Sequence, residues 1–106
     1  MKCFCKAVEV GVISFELPEL GISFKERVKG GSKFSLFELK FQSVLVALDF
    51  LAQNSTLFRE KRVDMAVNDP QVVAAFSELS WTPSPVYQQL LAELRKENIS
   101  FKIIPS

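Results

Sequence analysis

The apolar pattern of this chain changes period at Ser35, and that change limits the folds open to it. Before Ser35, apolar residues alternate with others: Phe4, Val8, Val10 and Val12 in one phase, then Ile13, Phe15 and Leu17 in the opposite one. Such alternation marks half-buried strands. Gly11 sits at the change of phase, where a glycine suits a bulge or an abrupt strand change. Leu17-Pro18-Glu19-Leu20-Gly21 reads as a turn. Leu20, Ile22, Phe24 and Val28 then carry the returning strand, with Ser23, Lys25 and Arg27 on its other face. Lys29-Gly30-Gly31-Ser32 is a second turn, leaving a short third strand around Lys33 and Phe34. The first third of the chain is expected to be an antiparallel meander.

Ser35-Leu36-Phe37-Glu38 matches a capping box, so a helix starts there. Phe37, Phe41, Val44, Leu48 and Leu51 form its apolar stripe, with Glu38, Gln42, Asp49 and Gln53 on a polar flank. Leu39, Val46 and Phe50 make a further apolar set almost opposite the stripe. A sheet alone would leave that set wet, so another helix or a second subunit is expected to cover it. Asn54 to Lys61 reads as a polar connection and Arg62 to Val67 as a strand. Asp69 as N-cap and Pro70 as first helical residue start a helix to about Glu78. Ser84 and Pro85 repeat that signal for a helix to about Glu97, which Asn98 ends. Ile99 to Ile104 is the last strand, stopped by Pro105. The expected order is βββαβααβ: one α/β domain over residues 1–106, with helices packed on a mixed five-stranded sheet.

Composition removes much chemistry. The chain of 106 residues, 48% of them hydrophobic, suffices for about one core. With no histidine, imidazole bases, His-containing zinc sites and Ser-His-Asp or Cys-His triads are excluded. Thirteen cations against twelve acids give a net charge of +1, hence no global field for nucleic acid or anionic lipid. Cys3 and Cys5 read as two small buried apolar side chains rather than a metal or redox pair, and a reducing cytoplasm fits them. The longest apolar run, Val44 to Ala52, is interrupted by Asp49 and is far short of the ~20 residues of a membrane span. The N-terminus lacks the apolar stretch and cleavage site of a signal peptide, so the mature chain is expected to be the chain shown.

Val46-Ala-Leu-Asp-Phe-Leu51, Val63-Asp-Met-Ala-Val-Asn-Asp-Pro-Gln-Val-Val73 and the element order together resemble the ribonuclease H-like superfamily over most of residues 28–105. The resemblance implies a ribonuclease H-like sheet without the family's C-terminal helix. It also implies where carboxylates would hold two divalent metals, Mg²⁺ or Mn²⁺, for phosphodiester hydrolysis. Each place can be read in this chain. The first-strand Asp has no match; Glu9, beside Val10-Gly11, is the nearest acid. The first-helix Glu falls on Lys40, and a cation there opposes metal binding. Sliding the match to Glu38 turns the side chain about 200° around the helix. Asp69 is in register, though N-capping also explains it. The final acid would lie beyond Ser106. The implied molecule is a shortened, catalytically degenerate member that needs no cofactor and associates with protein, as a dimer or with another partner. The other readings are a weak nucleic-acid binder and a metal-dependent nuclease completed by another chain.

Two basic clusters suit phosphate: Lys25, Arg27, Lys29 and Lys33, and also Arg59, Lys61 and Arg62. Glu26 and Glu60 lie among them, as on ordinary solvated faces. The phenylalanines follow helix and strand spacing and belong to the core. Trp81 is either a partner anchor or a plug closing a loop on the core. Leu39, Val46, Phe50 and Trp81 are the candidate interface.

Overall fold

The computed structural model describes residues 1–8, 11–79 and 84–106. The elements are β1 (Lys2–Val8), β2 (Val12–Leu17), β3 (Ile22–Arg27), α1 (Leu36–Gln53), α2 (Ser55–Phe58), β4 (Arg62–Val67), α3 (Pro70–Leu79), α4 (Pro85–Lys96) and β5 (Ser100–Pro105). They build one five-stranded sheet in the order β3-β2-β1-β4-β5. β2 runs antiparallel to β1 and β3, whereas β1, β4 and β5 are mutually parallel. Mixed α/β architecture is as expected.

The meander is present, with different strands from those expected. The change of phase at Gly11 is a tight hairpin turn: its N–H donates to the Val8 carbonyl at 3.0 Å, and Val8 pairs with Val12. Residues Lys33 and Phe34 form no strand; Gly31–Lys33 is a single 3-10 turn leading to α1. Gly11 and Gly31 explain that shape. Gly11 has φ +86, and a Cβ on it would stand 2.7 Å from the Gly31 Cα. Two glycines let the backbones touch, and the Val28 N–H donates to the Gly11 carbonyl at 2.7 Å.

The capping box at Ser35 forms as expected. The Glu38 N–H donates to Ser35 Oγ at 3.1 Å, and the Ser35 N–H to Glu38 Oε1 at 3.4 Å. α1 lies on β1 and β2, α3 on β4 and β5, and α4 against α1. The core joins these helices to Cys3, Cys5, Phe15, Leu17, Val63, Met65 and Val67, all from one face of the sheet. Every helix therefore covers that face. The other face carries the alternate residues and stays open.

Two corrections concern the core. The buried phase of β1 is that of Cys3 and Cys5, while Phe4 is half-buried and Val8 is 52% exposed on the open face. The polar connection after α1 contains α2, whose Phe58 is fully buried and packs near Phe50 at 6.1 Å between ring centroids. Among the described residues, no helix is long and apolar enough to cross a membrane.

Candidate functional site

In open parallel sheets, ligands collect beyond the carboxyl ends of strands whose outgoing chains diverge. β1 and β4 meet that condition, since β1 turns back into β2 and β4 leads on to α3. A cleft of about 390 Å³ lies there. Lys6, Ala7 and Val8 line it from β1, Leu36 and Lys40 from α1, and Asn68 from the end of β4. Lys40 Nζ donates to the Asn68 carbonyl at 3.0 Å and ties α1 to that strand end. Among the described residues, no Asp or Glu side chain lines the cleft.

Asp69 stands next to Asn68, with its carboxylate turned to the helix start. Oδ1 accepts the Gln71 N–H at 2.9 Å, and its carbonyl accepts from Val72 and Val73, which makes it the N-cap of α3. Glu9 lies outside the described residues. Glu38 is exposed in its capping box. No group of three or more His, Cys, Asp or Glu side chains among the described residues could hold a metal ion. A two-metal site needs several converging carboxylates, so the residues around this cleft do not fit one.

Cys3 and Cys5 are free, buried and on one face of β1. The hydrogen bond with Cys3, then burial, then Cys3's own charge push the Cys5 thiol far above its usual range. A thiol so disposed is a poor nucleophile and a poor metal ligand.

The candidate interface residues separate. Leu39 is fully buried by this chain alone. Phe50 packs on Phe15, with ring centroids 5.1 Å apart. Only Val46 reaches a surface feature, a groove of about 410 Å³ between α1 and α4. Val46, Val86 and Leu90 give it apolar walls, while Asp49 and Glu93 supply its only charges among the described residues. Val86 is 66% exposed. Trp81 lies outside the described residues.

The basic clusters also divide. Lys25 and Arg27 are exposed on β3, on the open face, whereas Lys29 and Lys33 are exposed on the connection to α1. Arg59 bonds Glu97 at 2.9 Å and Arg62 bonds Asp64 at 3.4 Å, so the second cluster is partly neutralised. Sequence reasoning missed Lys6 in the cleft, and with it the company Lys6 keeps on the open face. Treating Cys3 and Cys5 as the apolar phase of β1 would have placed Lys2, Phe4 and Lys6 opposite. Comparison with protein-family models, curated proteins and solved structures gives no significant match to this chain.

Proposed function

We propose that this chain is a catalytically silent ribonuclease H-like module that works by holding another protein. The element order, βββ followed by α1, the short α2, β4, two helices and β5, supports the scaffold. The observation that carries the silence is the cleft at the ends of β1 and β4: two lysines line it, and one of them, Lys40, occupies the place of an implied carboxylate. The binding surface is the groove between α1 and α4, whose apolar walls end in Asp49 and Glu93. A second copy laid on it would bring acids against acids, so the occupant proposed is a different chain: an amphipathic helix with an apolar stripe and cationic flanks.

Two measurements test this reading. Titration calorimetry with Mn²⁺ is expected to show no saturable site at millimolar concentration, in the wild type and in Asp69→Ala alike. A site present only in the wild type overturns the silence. A labelled 18-residue Leu/Lys helix is expected to bind the wild type and to lose about tenfold or more in affinity against Val46→Asp. Equal binding of a Leu/Glu helix overturns the groove.

A further inference from the structure

The two faces of the sheet differ in charge as well as in cover. Lys2, Lys6, Lys25, Arg27, Arg62 and Lys102 alternate onto the open face, six of the chain's thirteen cations. Among the described residues, only the acids Glu16 and Asp64 share the strands' open phase. The near-neutral total conceals a basic face on one side and an acidic balance on the rest. Strand register sharpens the picture. Lys6 pairs with Ser14, which pairs with Lys25, so a row across β1, β2 and β3 holds two cations and no acid. The next row, Val8, Val12 and Arg27, adds a third cation over two apolar side chains. Asp64 lies between Lys2 and Lys102 and also bonds Arg62, one acid among three cations.

We propose that this open face binds single-stranded nucleic acid, with Lys6, Lys25 and Arg27 taking phosphates and Phe4 offering its ring to a base. Charge complementarity selects a polyanion. Lys6 and Lys25 lie two strands apart, about 10 Å, which spaces the charges for a strand laid across the sheet. Phe4 is half-buried on β1, the central strand, between buried Ala66 on β4 and Glu16 on β2. Val8 and Val12 extend the apolar floor next to Arg27. A flat face of this kind suits splayed bases, which a single strand presents and a duplex hides. Glu26 falls in the opposite phase of β3 and does not interrupt the row. This face is separate from the helical groove, and it shares Phe4, Lys6 and Val8 with the wall of the cleft.

The test is fluorescence anisotropy with a labelled twelve-residue oligothymidylate on the full chain, over a salt series. The expected dissociation constant is about 10⁻⁵ M at low salt, with a log–log salt slope of about −2 for three phosphates. Lys6→Glu with Lys25→Glu is expected to weaken binding about tenfold or more and to flatten the slope by more than about 1. Phe4→Leu keeps an apolar side chain in place, and is expected to cost about fivefold in affinity with the slope unchanged. Lys96→Glu, at the end of α4, changes the net charge without touching the face and is expected to leave affinity within about twofold. Circular dichroism melting shows that each variant is folded. A salt-independent affinity, an equal loss in Lys96→Glu, or equal binding of a matched duplex overturns the proposal. So does tighter binding of an oligoglutamate peptide, which would assign the face to an acidic protein.

Discussion

One sheet has two unlike faces, and a single step along any strand crosses from one to the other. Toward the helices, β2 presents Ile13, Phe15 and Leu17, all buried; away from them it presents Val12, Ser14 and Glu16. Both halves of the open face carry charge: Lys2, Arg62, Asp64 and Lys102 on the parallel strands, Glu16, Lys25 and Arg27 on the antiparallel ones. Parallel strands normally have cover on both faces, and antiparallel ones tolerate water on one. This sheet departs from that rule: its parallel strands also leave one face uncovered, with Lys2, Arg62 and Lys102 exposed there. Apolar burial is thus concentrated on one face, and the other carries the sheet's charges.

Two phenylalanines on neighbouring strands offer the strongest way to break this comparison. Phe15 is fully buried and stacks on Phe24 at 5.0 Å between centroids. Phe15→Ala is expected to cost about 3–5 kcal/mol in urea denaturation. Phe4→Ala, on the open face, is expected to cost less than half as much. Equal losses would mean that both faces are packed. Gly11→Ala acts where the turn after β1 meets the link from β3 to the helical side. Its φ of +86 and the 2.7 Å approach to Gly31 leave no room for a methyl group, so the expected loss is about 2 kcal/mol or more. A neutral result would show that this corner yields. Ser35→Ala removes the cap where the chain enters the covered side, and is expected to cost about 1 kcal/mol, read as a lower urea midpoint at unchanged slope.

Local signals read well. The serine cap of α1, the Asp69-Pro70 start of α3, the stop at Asn98 and the whole of β4 are legible because each rests on a few adjacent residues. Asn98 ends its helix region with φ +56, a conformation asparagine tolerates. Misreadings arose where partners are distant in sequence. Lys33 and Phe34 look like a strand only until Gly31 is seen packed on Gly11. Phe50 looks unpartnered until Phe15 of β2 and Phe58 of α2, in a segment with a polar outline, close around it, and Leu39 is buried within this chain. The Lys6–Ser14–Lys25 row depends on register between strands, which no single strand reveals.

By itself, the sequence determined the start of α1, the span of β4, the start of α3 and the want of any imidazole. Those follow from side-chain chemistry and from spacing along one segment. Which strands adjoin, which phase of β1 is buried and which charges gather into a face were decided only by the tertiary structure. Pairing brings residues dozens of positions apart within one strand spacing, and burial then goes to whichever phase meets the helices.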